Sequence, residues 1–483
     1  MAADRDPSTP RRALLLFSVL MFCYTYVHQG PGWNQNSRLD VLHALFAYRT
    51  LAIDAYHDNT GDKAIHNVHY YSDKAPGIIV LALPAFAISA CILHVLGVPL
   101  DSKTGWIASD WITTAGSVGI ISALGGMAMF LLLSRLIEQK YAFLTAYIVF
   151  LGAAPFPYST MLFSHAAVIG LICIALWAIV DDVFLTRVTP SSILQRKCSV
   201  CTVGEVTRHL LAGLCCGLAI SSEYTAATAA GAVLALTLLA SSRRALILIL
   251  SAIPPLLIIP IYNTVCFGGV LSFGYHNLAL TEFQDMNKGL FGITWPPKLS
   301  ATYLILLSPA RGLFFWTPFF LIAFVGIVPL FKASRPLFWI SLIAVITHIV
   351  CISGYYMPSG GAALGPRHLS PILPFLTLLS ALGLCYYPRF GYVLGYFSLA
   401  ITGLATLITA MPWQGVTNPL RDVYPDRLLE GRIANMLLTP LGLPPFCSMA
   451  LVAVVILGFY LAACLVSRKT RVTALPTAEQ CTY

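Results

Sequence analysis

Two adjacent ionisable residues, Asp73 and Lys74, open the apolar run in "HYYSDKAPGIIVLALP". Charge at the mouth of a membrane-length apolar segment costs free energy unless it is solvated, paired or used. An ammonium there can hold an anion, and a carboxylate can take a proton. Asp40 and Asp54 add carboxylates upstream in the same stretch. Further along, single ionisable groups interrupt apolar sequence. His165 stands in "PYSTMLFSHAAVIG", Glu223 in "AISSEYTAAT", Arg311 in "LLSPARGLFFWTP", and Arg367 with His368 in "ALGPRHLSPILPFL". Guanidinium suits bidentate capture of phosphate oxygens. Each group also has a structural reading. Glu223 can be satisfied by neighbouring Ser hydroxyls at a re-entrant turn, and Arg367 can snorkel from the interface.

The elements that position these groups are membrane helices. Of the 483 residues, 58% are hydrophobic and only 10% charged, with a mean hydropathy of +0.78. A soluble domain carries about 25% charged residues. The net charge of +9 sits in short loops between apolar runs, the pattern of cytoplasmic loops and not of nucleic-acid binding. Segments of about 20 apolar residues fall near 13–28, 76–97, 109–134, 141–158, 160–182, 208–222, 224–241, 244–268, 303–331, 336–354, 369–386, 390–411 and 447–466. No run alternates with period two at barrel length. The expected fold is an all-α polytopic bundle of about 12–13 transmembrane segments with a large first outer loop.

Arg11 and Arg12, Arg187 to Arg208, Arg243 and Arg244, Lys332 and Arg335, Arg389 and the tail "SRKTR" read as cytoplasmic. Residues 1–12 and 467–483 are then cytoplasmic ends, and 13–466 form one transmembrane domain. Segments 29–75, 269–302, 355–368 and 412–446 fall on the opposite side. One conflict is visible. Both ends inside require an even number of crossings, and Arg135 and Lys140 look cytoplasmic where simple alternation puts them outside. Either 76–97, interrupted by Pro84, does not span, or 109–134 is misread. The first apolar run lacks a small-x-small cleavage site and reads as an uncleaved anchor. Cys198 and Cys201 with His209 have a metal-like spacing, but no second pair completes a zinc set, and no metal or other cofactor is expected.

Within the loop 29–75, Leu39, Leu42, Leu45 and Phe46 recur at helical spacing among Arg38, Asp40, His43 and Arg49, predicting an amphipathic helix on the membrane surface over 38–54. "DNTGDK" reads as a turn. Together the ionisable residues describe one outward-facing pocket at membrane level. Its carboxylates suit acid/base work and its cations suit an anionic group at the lipid boundary. A substrate with a lipid tail and a phosphate head fits that layout.

The order of elements resembles the GT-C superfamily of polytopic membrane glycosyltransferases, in the branch related to ArnT and the protein O-mannosyltransferases. The residues that carry the resemblance are "SRLDVLHALFAYRTLAID" followed by "YYSDKAPG", then "FSHA", "SSEYTA", "LSPARGLFFWTP" and "ALGPRHLSPILPFL", along most of the chain. The resemblance implies transfer of a sugar from a polyprenyl-phosphate donor to a glycan, lipid or protein acceptor. It implies an inverting mechanism at the non-cytoplasmic face, as in a bacterial inner membrane, with membrane lipids around it. By position, Lys74 matches the phosphate-contacting lysine, and Arg367 is a second anion ligand, with Arg311, Glu223 and His368 nearby. Relatives carry an acidic pair just before the residue matching Arg38. This chain reads "NQNSR", with Gln35 and Asn36 there, and neither amide can act as a base. The candidates for the base are Asp40, then Asp54, then Asp73, and His165 can orient the acceptor or share the proton. Tyr71 and other loop aromatics can stack on sugar faces or form an interfacial belt.

Two other classes compete. A secondary transporter or lipid flippase would use the Pro-broken helices and the intramembrane Glu223, although no internal repeat is found. An O-antigen-type ligase or polymerase would place its functional loop late, as 412–446.

Overall fold

A computed structural model of the chain describes residues 8–180 and 203–473. Residues 1–7, Arg187, Arg196, Lys197, Cys198, Cys201 and 474–483 lie outside the described residues. Each expected apolar segment overlaps helix among the described residues. Among the described residues, eight helices of 18 residues or more are long and apolar enough to cross a membrane, and Ser164–Ile179, Tyr224–Ala240 and Pro318–Ala333 are shorter apolar helices. The protein is an all-α membrane bundle, with two small two-stranded ribbons among the described residues.

The crossing conflict resolves at Gly77–Val95. Gln139 Oε1 accepts hydrogen bonds from Ser8 Oγ and Arg12 Nη1, both 3.2 Å long, and Arg135 donates to the Val180 carbonyl at 2.6 Å. Residues 8–12, 135–139 and 180 therefore share one face. On the other face, Tyr56 OH donates to Asp101 Oδ1 at 2.9 Å, and His43 Nδ1 lies 3.6 Å from the same oxygen. Gly77 packs on the backbone of Ser221 and Ser222. The helix Gly77–Val95 thus begins and ends on the side of the loop 29–75. Among the described residues, setting Gly77–Val95 aside leaves twelve of the thirteen expected segments to run between the faces, an even number. Tyr26 OH and Ser448 Oγ, 2.6 Å apart, set the last helix, Pro445–Thr473, antiparallel to the first, Thr9–Tyr26.

The segment expected as one run over 303–331 is broken into Leu299–Leu306, Leu313–Trp316 and Pro318–Ala333, because Pro309, Gly312 and Pro318 interrupt the helical hydrogen bonds. A second difference concerns the loop helix Trp33–Tyr48. It does not lie on a surface with one face exposed; every residue from Gln35 to Ala44 is buried. Its polar residues have partners inside the protein: Arg38 Nη1 donates to the Asn34 carbonyl at 2.7 Å, and the His43 ring stacks on Trp106 at 3.7 Å. The helix Arg367–Tyr386 is the most enclosed of the eight long spans, 89% buried, and carries Arg367 and His368 at its first turn.

Close helix contact depends on glycine. A Cβ built on Gly125 of the span Lys103–Leu133 would lie 2.2 Å from the Gly170 Cα of Ser164–Ile179. Gly125→Ala must push the two backbones apart, and overpacking of this kind costs about 1–3 kcal/mol. A lower thermal midpoint in detergent is expected.

Candidate active site

A cavity of about 710 Å³ opens on the side of the loop 29–75, and Asp62, Asp73, Lys74, Arg367 and His368 are among its walls. Lys74 is placed by the hairpin before it. Strands Lys63–His66 and His69–Ser72 pair antiparallel with Lys63 opposite Ser72, which brings Asp62 beside Asp73. Ser72 is pinned by Ser37 Oγ at 2.7 Å and by Tyr262 OH, which donates to its carbonyl at 2.9 Å. Lys74 Nζ then lies 3.2 Å from Asp62 Oδ2 and 3.1 Å from Asp73 Oδ2. Burial pushes the Asp73 carboxyl up to about 6, with Lys74 pulling against the rise and Asp62 adding to it. Burial lowers the Arg38 guanidinium from its ordinary value, with the charges of Glu223, Asp62 and Asp73 pulling against the drop.

The facing groups come from the mouths of other helices. The Arg367 guanidinium lies over the Phe163 ring, 5.3 Å from its centre, and its buried Nε has no hydrogen-bond partner. Gly360, at φ +72°, makes room for it, since a Cβ there would meet Arg367 Nε at 2.7 Å. His348 Nε2 lies 2.7 Å from the His368 carbonyl and holds that turn. Behind His368, the His165 ring packs edge-on at 5.8 Å. Glu223 Oε2 accepts from Ser164 Oγ at 2.6 Å and lies 3.4 Å from His165 Nδ1. The cavity therefore has a cation clasped by two carboxylates and a second cation with no carboxylate within 4 Å among the described residues.

Comparison with family models and with curated proteins finds no match. Among solved structures the chain is similar to ArnT from Cupriavidus metallidurans bound to undecaprenyl phosphate. The identity is 15%, 96% of this chain and 76% of that chain are covered, and the TM-score is 0.46. It is also similar to the Archaeoglobus fulgidus oligosaccharyltransferase in the apo form, at 12% identity over 92% of this chain and 56% of that chain, with a TM-score of 0.44. The complex of that enzyme, AglB, with an inhibitory peptide and a dolichol-phosphate is similar at 14% identity, 83% and 55% coverage, and a TM-score of 0.43. The chain spans just over half the length of the archaeal enzyme.

Of the residues expected at a site, Asp73, Lys74, Arg367 and His368 line the cavity, and His165 with Glu223 stands directly behind it. Four others are placed elsewhere. Asp54 caps the hairpin at the surface, accepting from the Tyr70 amide at 2.7 Å and lying 2.6 Å from His69 Nδ1. Tyr71 packs edge-on against Phe267 at 5.7 Å. Arg311 is buried and donates to backbone carbonyls, with Ser359 at 3.1 Å, Ala310 at 2.8 Å and Gly361 at 2.9 Å. Asp40 is buried off the cavity, where Asn59 Nδ2 donates to its Oδ1 at 2.9 Å. Among the described residues, no group of three or more His, Cys, Asp or Glu side chains is placed to share a metal ion. Asp62 was not foreseen. The signal was the hairpin itself: "KAIH" and "HYYS" flank Asn67 and Val68, both at positive φ, and that register puts residue 62 against residue 73.

Burial raises the Asp40 carboxyl to about 8, so it is mostly protonated at neutral pH. A raised carboxyl stabilises the fold fully below its unfolded value of about 3.9, and that stability is lost as pH rises through the folded value. Asp40→Asn mimics the protonated form. Turnover within threefold of wild type is expected, together with a flatter decline of thermal midpoint between pH 4 and pH 8.

Proposed function

We propose that the protein is a membrane glycosyltransferase that moves a sugar from a polyprenyl-phosphate donor to a glycan, lipid or protein acceptor. The reaction runs at the non-cytoplasmic face, the periplasmic side if the membrane is a bacterial inner membrane. One observation carries this reading: Lys74, held between Asp62 and Asp73, shares a cavity with Arg367 at the outer mouths of the helices. Fixed cations at the lipid boundary suit a phosphate whose tail stays in the bilayer, and the resemblance in "SDKAPG" and "GPRHLSPILPF" agrees.

The chemistry follows from the charges. An acceptor hydroxyl oxygen bonds to the anomeric carbon from the side opposite the phosphate, so the configuration inverts. The bond from that carbon to the phosphate oxygen breaks, and its electron pair leaves on polyprenyl phosphate. Lys74 and Arg367 stabilise that developing charge, an electrostatic effect often worth 10²–10³ in rate, on the order of 3 kcal/mol, per donor. The hydroxyl proton passes to a carboxylate. Asp62 and Asp73 orient Lys74, and Trp33, Tyr355 and Tyr356 give the same cavity aromatic faces for a sugar. The late loop contributes Met411, Gln414 and Arg427 to the same walls, so early and late loops serve one site.

The test is release of polyprenyl phosphate from a labelled polyprenyl-phosphate sugar by purified protein in detergent, across a panel of sugars and acceptors. Release is expected. No consumption of any donor, together with movement of a solute or lipid across proteoliposomes, replaces this reading with transport.

A further inference from the structure

We propose that Glu282 is the carboxylate that takes the acceptor's proton, an assignment that rests on the transfer reaction proposed above. Among the described residues, the carboxylates in the cavity wall are Asp62, Asp73 and Glu282. The first two are both on Lys74, at 3.2 Å and 3.1 Å. They hold the ammonium that meets the phosphate, so a proton placed on either would loosen that hold. Glu282 is exposed, and no Lys, Arg or His nitrogen stands within 4 Å of it among the described residues. It is the wall's one carboxylate outside an ion pair.

The fold puts it there by fixing both ends of its loop. On the early side, Leu278 bridges to Ala64. The Ile65 amide donates to the Asn277 carbonyl at 2.7 Å, and the Ala279 amide to the Lys63 carbonyl at 3.0 Å. On the late side, Ile293 bridges to Tyr355, and the Tyr356 amide donates to the Gly292 carbonyl at 2.8 Å. The short 3-10 helix Thr281–Asn287 therefore runs from the hairpin that positions Lys74 to the Tyr355–Tyr356 wall of the same cavity. Two close packings set its depth. A Cβ built on Gly61 would lie 2.6 Å from the Trp33 ring and 2.9 Å from Leu280 Cδ1. One built on Gly292 would lie 2.8 Å from the Tyr356 ring and 3.3 Å from Met286 Cα. Leu280 and Met286 are thus seated beside the cavity's aromatic faces, with Glu282 between them in sequence. Glu282, Phe283 and Met286 line this cavity, whereas Gln284, Asp285 and Asn287 line another, where Asp285 Oδ1 lies 2.7 Å from Lys288 Nζ.

An acceptor entering from water past this segment brings its hydroxyl beside Glu282 while the donor phosphate rests on Lys74 and Arg367. The hydroxyl's O–H bond breaks as its oxygen bonds to the anomeric carbon, and the proton passes to the carboxylate. The bond from that carbon to the phosphate oxygen breaks, and its electron pair leaves on polyprenyl phosphate. Glu282, being exposed, then returns the proton to water.

The experiment uses the full chain in detergent and compares wild type, Glu282→Gln, Glu282→Ala and Asp285→Asn. Turnover is measured as release of polyprenyl phosphate from the labelled sugar donor, with the acceptor that wild type uses fastest. Donor affinity is measured separately with unlabelled polyprenyl phosphate. Both Glu282 variants are expected to lose about 100-fold or more in turnover and to keep donor affinity within threefold. Asp285→Asn, on the same segment but lining the other cavity, should keep turnover within twofold. Added formate should restore at least tenfold of the Glu282→Ala loss by supplying a carboxylate, and leave Glu282→Gln unchanged because its amide fills the space. Turnover of either Glu282 variant above a third of wild type, an equal loss in Asp285→Asn, or no response of Glu282→Ala to formate overturns the assignment. A wild-type protein that releases no polyprenyl phosphate from any donor overturns the transfer reading itself.

Discussion

Lys74→Ala is expected to weaken polyprenyl-phosphate binding by about 100-fold or more and to remove measurable turnover. The ammonium is enclosed, with its side chain 11% exposed between the carboxylates of Asp62 and Asp73. Truncating one partner of a buried, hydrogen-bonded charge pair costs about 2–5 kcal/mol in binding, and about 2.7 kcal/mol is 100-fold. A second effect comes with it. Without Lys74 the two carboxylates face each other uncompensated, and breaking a buried pair costs about 3–5 kcal/mol of stability. The combined variant Lys74→Ala with Asp73→Asn separates the two effects. It removes the repulsion and should recover much of the thermal midpoint, while donor affinity stays low. Recovery of affinity in the combined variant would show that Lys74 acts only on the fold.

Arg311→Ala is expected to lower stability by about 3 kcal/mol or more, with Arg311→Lys recovering little of it. The guanidinium joins the turn after Leu299–Leu306 to the Ser359–Gly361 loop through carbonyls at 3.1 Å and 2.9 Å, and its Nη2 approaches the Pro412 carbonyl at 3.4 Å. Hydrogen bonds to a charged group contribute about 1.5–3 kcal/mol each, and removing the donor leaves buried carbonyls unsatisfied. An ammonium cannot reproduce a planar fork that reaches several segments at once. The measurement is the thermal midpoint in detergent. Donor affinity per folded molecule should hold, because Arg311 does not reach the cavity that Lys74 and Arg367 share.

What the sequence made legible follows physical range. The helices were readable because about 20 apolar residues have few alternatives in a bilayer. That Gly77–Val95 returns to its starting face is one of two readings the charge pattern and Pro84 leave open, because its composition is that of a crossing helix. The evidence is the distant contact of Asp101 with His43 and Tyr56. The break around Arg311 was written in Pro309, Gly312 and Pro318, but its carbonyl partners lie some 50 and 100 residues away. Lys74 and Arg367 were visible as charges beside apolar runs. Asp62 required the hairpin register as well as the turn. Glu282 has no local signature, because its loop is placed by distant contacts with Lys63 and Tyr356. The loop helix Trp33–Tyr48 looked amphipathic because its polar residues alternate with apolar ones, yet those polar residues are bonded inside the protein.

The central claim is that one cavity holds a lipid-linked phosphate through Lys74 and Arg367. Equilibrium binding of a short-chain polyprenyl phosphate to wild type, Arg367→Ala and Arg432→Ala tests it most directly. Arg432 pairs with Glu430 at the surface of the late loop and is not part of the cavity wall. The account predicts a loss of at least tenfold for Arg367→Ala and less than twofold for Arg432→Ala. Equal affinities in all three proteins would contradict it.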